Sequence, residues 1–226
     1  MSQEFGPPST SPPVSSPSWS EVWISALTRP SVATFEGFVQ DPNATDRRAY
    51  TWVFVSALIG FAISALLGIV FGTGTAEGPE ATGVMVGSSL TCLICGAPIS
   101  ALLSVLGLVI IGGITQLIAG ALGGTGTYSE LVHAFAAYMA PLTLITSVLG
   151  AIPYINFLTI PLGIYGIVLN VIAVRAVHQF GWGKAIASSV LILVGILVLV
   201  ACVVIGILLL LGPVIGNVFS NIVENI

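Results

Sequence analysis

Charge is what this chain has least of. Of 226 residues only 5 are Lys or Arg and 9 are Asp or Glu, and no Lys or Arg falls between Arg48 and Arg175. A water-soluble domain of this size needs a charged coat, so the shortage excludes one. It also removes the basic footprint that nucleic acid demands, and no nucleic-acid partner is expected. Cysteine is nearly as scarce: Cys92 and Cys95 form a C-x-x-C pair and Cys202 stands apart. Zinc takes about four ligands and a thioredoxin-like pair needs its own soluble fold, so these cysteines are expected to be small buried residues. No Ser, His and acid set is present, no span carries two aspartates, and Gly123, Gly124 and Gly126 lack the Lys and Ser/Thr of a phosphate-binding loop. The expectation is a non-enzymatic protein with no cofactor and no metal.

What the chain has in abundance is hydrocarbon. Hydrophobic residues make up 56% and charged residues 6%, and the mean hydropathy is +1.08. Five apolar runs are long enough to cross a bilayer: Tyr50 to Phe71, about Leu90 to Ala119, Leu131 to Ile152, Phe157 to Val177 and Ala185 to Leu211. The fold class is therefore all-α, a polytopic transmembrane helical bundle. With five spans and a cytoplasmic N-terminus, Arg29, Arg47, Arg48, Arg175 and Lys184 all fall on the cytoplasmic side, while Glu77, Glu80 and Glu224 face away. A sixth span, made by hinging Val84 to Leu122 at Gly112 and Gly113, would put Arg175 and Lys184 outside and is rejected on that charge rule.

Four segments follow. Residues 1–18 form a Pro- and Ser-rich tail, expected to be disordered and lacking the pattern of a signal peptide. Residues 19–48 hold two short amphipathic helices, with Trp19, Val22, Trp23, Ala26 and Leu27 on one face and Val32, Phe35, Phe38 and Val39 continuing it after Pro30. That aromatic face suits either the headgroup boundary of the cytoplasmic leaflet or packing on the bundle, and both readings stand. The turn from Asp41 to Asp46 can cap the first span. Residues 49–212 form the five-span domain. Gly212 and Pro213 are expected to break the last span, leaving 213–226 as a short amphipathic end with an apolar stripe from Val214 to Ile226.

Small residues at four-residue spacing, Gly60, Ser64, Gly68 and Gly72 in the first span and Gly96, Ser100 and Ser104 in the second, mark faces for close helix packing. Pro98, Pro141 and Pro161 are expected to interrupt three spans, and the three glycines from Gly123 to Gly126 to make a flexible link.

The ionisable groups at membrane depth gather near the cytoplasmic ends of spans three and four. Pro153 to Asn156 makes a short outer link, so the two spans form an antiparallel hairpin that levels His133 with Arg175 and Glu130 with His178. The candidate polar cluster is Glu130, His133, Asn170, Arg175 and His178. In it Arg175 is expected to pair with Glu130, helped by both histidines, while Asn170 bonds the Ala137 carbonyl freed by Pro141. A proton relay or a site for an anionic lipid head is the functional alternative. Glu130 and His133 also have the Glu-x-x-His spacing of di-iron proteins, but the further inward carboxylates are missing.

The aromatic lead-in from Trp19 to Phe38, five spans, and the run from Thr127 to Leu191 together resemble the Yip1 domain family. Ala136 to Pro141 is shaped like that family's Ala-Tyr and Pro element of span three, Ile164 to Leu169 like its span four, and His178 to Ala185 like its short basic link. The resemblance implies a five-span membrane protein. Eukaryotic members are implicated in traffic between endoplasmic reticulum and Golgi through prenylated Rab GTPases. This chain lacks the D-L-Y-G-P stretch those members carry, so Rab-type GTPase binding is not expected, and the likeness points to a prokaryotic branch and its cytoplasmic membrane. The expected function is a membrane scaffold, adaptor or membrane-organising protein, with the lipid bilayer and other membrane proteins or a second copy as partners. The alternative is a small transporter or channel using the polar cluster.

Overall fold

Apolar length dictates the architecture. In the computed structural model, which describes residues 17–71 and 81–224, the chain forms seven helices and one 3-10 turn. The helices are α1 (Trp19–Thr28), α2 (Val32–Val39), α3 (Asp46–Phe71), α4 (Ala81–Ala121), α5 (Tyr128–Ala151), α6 (Thr159–His178) and α7 (Trp182–Glu224). Five of them, α3 to α7, are long and apolar enough to cross a membrane. The protein is an all-α, multi-pass membrane protein. Residues 1–16 of the expected tail, Glu77 and Glu80 lie outside the described residues, as do the side chains of Cys92 and Glu224 and most of the C-terminal stripe, while Pro17 and Ser18 are ordered against the bundle. Cys95 and Cys202 are free thiols on the outer face of their helices rather than buried as expected.

The core of the bundle is α5, which packs on α3, α4 and α6 and buries Leu131 to Tyr138 almost without interruption. Small side chains set the spacing between helices, as the sequence pattern implied. A Cβ on Gly60 would come 2.5 Å from Ser147 Oγ on α5, and one on Gly96 would come 2.9 Å from the Phe61 ring. Ser64 donates to the Ser147 carbonyl at 3.1 Å. The α3–α5 and α3–α4 faces are thus intramolecular. Helix α4 runs unbroken through Gly112 and Gly113, so the sixth span does not form.

Three expectations about breaks change. Helices α4 and α5 continue through Pro98 and Pro141. Pro161 lies in the first turn of α6, where the missing N–H would have had no intrahelical partner, so it interrupts nothing. Helix α7 passes Gly212 and Pro213 and ends at Glu224. In an apolar setting the lost hydrogen bond of one proline costs less than freeing a whole turn of backbone. The glycines before α5 are packed rather than loose. A Cβ on Gly124 would come 2.7 Å from His178 Nδ1, one on Gly126 would strike the Val177 carbonyl, and Gly123 turns the chain at φ 87.

The two short helices also settle differently from the leaflet-surface reading. Ser18 and Ser31 cap them, Ser18 in a full capping box with Glu21. Hydrogen bonds from Ser18, first from its backbone, hold the Glu21 carboxyl below the usual carboxylate range. Their shared apolar face turns onto protein: Val22, Ala26 and Phe35 are at most 1% exposed and Phe38 is 7% exposed. Helix α1 packs on α5, and α2 on α5 and α6. The reason is complementarity, since Phe35 finds Tyr138 at 6.3 Å and Phe38 at 5.4 Å in edge-on geometry, contacts that lipid tails cannot offer.

Candidate functional site

The five candidate residues do not form one cluster. Glu130 spends its carboxylate on α5's own N-terminus, accepting the Thr127 N–H at 2.7 Å in a capping box. Arg175 lies over the Trp182 ring at 4.0 Å, and among the described residues the one ion pair is Arg48 with Asp41. The expected Glu130–Arg175 bridge is therefore replaced. A cation over an aromatic face needs no partner drawn out of water, and the helix N-terminus already offers the carboxylate the Thr127 N–H and a favourable dipole.

The histidines part company too. His133 is fully buried on α5 beneath Trp52, ring centroids 4.9 Å apart. His178, 2% exposed, stacks on Phe180 at 5.3 Å over the Gly124 backbone. Neither nitrogen of His178 has a hydrogen-bond partner among the described residues, and His133 meets only the Thr45 backbone, outside ordinary hydrogen-bond geometry. Glu130 and His133 have different surroundings despite their helical spacing.

Asn170 is engaged as expected, but with other partners. Its amide donates to the Tyr138 hydroxyl at 3.2 Å and accepts from Ser189 Oγ at 3.1 Å, so it ties α5, α6 and α7 together rather than meeting the Ala137 carbonyl. Beside it Gly163, Gly166, Met139 and Leu193 shape an apolar wedge of about 390 Å³ between α6 and α7. Asn170→Ala is expected to cost about 1 kcal/mol, read as easier unfolding in mixed micelles, with Ser189→Ala giving a similar loss and the double variant little more.

What the sequence did not expose is a clasp at the end of the bundle that carries the basic residues. Arg48 Nη1 donates to Asp41 Oδ2 at 2.9 Å and Nη2 to the Pro17 carbonyl at 3.0 Å. Its guanidinium also sits 4.8 Å over Trp52. Trp52 in turn receives Trp19 at 5.9 Å and Trp23 at 6.2 Å in edge-on contacts. Asp41 further accepts the Asn43 N–H, and Thr45 caps α3 by accepting from Arg48 N–H. The one available signal was the Asp41 to Arg48 spacing across a Pro-Asn turn; the Trp19, Trp23 and Trp52 meeting needs α1 folded back on α3.

Deeper in the bundle, the Tyr165 hydroxyl donates to the Leu27 carbonyl at 2.5 Å. The α1–α2 pair is thus held at its open ends by Arg48 and at its turn by Tyr165. It forms a helical hairpin against one half of the bundle only.

A family model described as Yip1 domain matches residues 24–217. The match spans most of the hairpin, all of α3 to α6 and α7 as far as residue 217, and carries no assignment to a prokaryotic branch. No curated protein and no solved structure matches.

Proposed function

The chain belongs to the Yip1 domain family, and from that footing we propose that it is a non-enzymatic membrane-organising scaffold. One observation carries this reading: the α1–α2 hairpin adds two helices to the basic-end half of a five-span bundle. A body wider in one leaflet than in the other is best accommodated where the bilayer curves, because the lipids around it need not splay or compress. By the charge rule the wide half belongs to the cytoplasmic leaflet, with the N-terminus on that side and the C-terminus opposite.

The transporter alternative finds its polar residues already occupied. Gln116 donates to the Gly126 carbonyl at 2.8 Å, Asn170 bridges Tyr138 and Ser189, and Arg175 covers Trp182. Partners are the bilayer and other membrane proteins, and no Rab-type GTPase is called for. Reconstitution of the full chain into a mixture of small and large vesicles tests the proposal. The protein is expected to concentrate, per unit area, in the smaller vesicles. Equal density at all diameters would remove the support.

A further inference from the structure

We propose that the tip of the α1–α2 hairpin is an intramembrane binding site for a zwitterionic phospholipid, whose phosphate is held by Arg29 and whose amine faces Glu21. The inference shares the hairpin with the proposed function but does not depend on the curvature it produces.

Depth comes first. Tyr165 lies ten residues from Arg175 along α6, about 15 Å at the helical rise, and a hydrocarbon core is about 30 Å thick. Arg175 on Trp182 is the kind of cation and aromatic pair that marks a membrane boundary. The Leu27 carbonyl held by Tyr165 therefore lies near the bilayer mid-plane. The rest of the hairpin agrees. Helix α1 starts beside Trp52 at the basic end, its ten residues descend about 15 Å, and α2 climbs back past Tyr138 until Val39 and Gln40 stand beside Gly126 and Gln179.

Arg29 sits at that turn, exposed, and among the described residues no side-chain hydrogen bond or ion pair involves its guanidinium. Of the other cations, Arg48 meets Asp41, Arg175 meets Trp182 and Lys184 donates to the Leu122 carbonyl at 2.9 Å, while Arg47 stands exposed at the start of α3, at the basic end. An unpaired charge facing lipid at this depth is costly and draws in a counter-charge, by snorkelling and by local thinning of the leaflet. Among the described residues none offers Arg29 a counter-charge, and a lipid phosphate supplies one.

The route for that headgroup is present. A cleft of about 370 Å³ runs along α1 from Glu21 to Arg29, walled by Ile24 and Phe38. Ser25 and Thr28 line it with hydroxyls that already bond the Glu21 and Ile24 carbonyls, giving polarity without unmet donors. At the mouth Glu21 accepts from Ser18 through Oε2 alone, which leaves Oε1 for a ligand, so the order of acid at the mouth and guanidinium at the tip matches a headgroup with its amine toward water and its phosphate inward. A guanidinium holds phosphate by paired, charge-assisted hydrogen bonds. An anionic headgroup without an amine gains the second contact but meets Glu21 unfavourably.

The test is native mass spectrometry of the full chain released from nanodiscs of mixed phosphatidylethanolamine and phosphatidylglycerol. Phosphatidylethanolamine is expected to be retained preferentially, to fall about tenfold in Arg29→Ala, and to persist in Arg29→Lys. Glu21→Gln should erase the preference between the two lipids. Depth is read separately, from bimane on Thr28→Cys in a background with the native cysteines replaced by alanine. Quenching is expected from lipids brominated near the chain ends. Unchanged retention in a folded Arg29→Ala, equal retention of both lipids by the unaltered chain, or quenching from the aqueous phase alone overturns the proposal. Vesicle sorting by curvature is measured apart from all three, so failure of one reading leaves the other distinguishable.

Discussion

Arg48→Ala is expected to release the N-terminal hairpin and to destabilise the protein by about 3–5 kcal/mol, because it strands a buried carboxylate. Asp41 is 2% exposed and Arg48 13% exposed, so removing the guanidinium leaves the acid without a counter-charge and frees the Pro17 carbonyl. The ion pair itself contributes less than that figure: an Asp41→Asn, Arg48→Met double variant, which frees the Pro17 carbonyl but leaves no buried charge unpaired, should recover most of the loss. Chymotrypsin gives the direct readout. Phe35 and Phe38 are buried in the docked hairpin, so cleavage there should be slow in the unaltered chain and in the double variant and fast in Arg48→Ala. Equal cleavage in all three would show that the clasp does not hold the hairpin.

Trp52→Ala is expected to cost about as much, about 3–5 kcal/mol, through packing rather than charge. Trp52 has no exposed surface and touches Trp19, Trp23, His133 and Arg48. Its deletion opens a cavity where α1, α3 and α5 meet and removes the ring that covers His133. Trp52→Phe keeps most of the apolar area and should lose well under half of that. Unfolding in mixed micelles, followed by tryptophan fluorescence and helicity, separates the two variants. A loss in Trp52→Ala no larger than in Trp19→Ala, whose ring is 42% exposed, would mean that the cluster is held by other contacts.

The spans were legible because membrane helices announce themselves by composition alone. The runs from Tyr50 to Phe71 and from Phe157 to Val177 fall within the observed spans, apart from small differences at their ends. The glycine faces were legible for a related reason: a missing side chain at regular spacing, as at Gly60 and Gly96, has few uses in an apolar helix other than close approach. The polar cluster was not. Levelling residues across the α5–α6 hairpin set Glu130 near His178 and Gln179, and Glu130 does share a groove with Gln179, but depth does not fix azimuth. Arg175 turned to Trp182 on the next helix and Glu130 turned back to its own N-terminus. Asn170 was found as a residue needing a partner, while the identity of that partner depended on Ser189, nineteen residues away on α7.

Length, hydropathy and the placement of five cations thus settled by themselves that this is a five-span helical membrane protein, because transfer to lipid is a property of each segment that needs no neighbour. Where the two short helices go was decided only by tertiary structure. Their aromatic face satisfies lipid and protein alike, and the choice between them turned on contacts among residues far apart in the chain: Arg48 with Pro17, Trp52 with Trp19, and Tyr165 with Leu27.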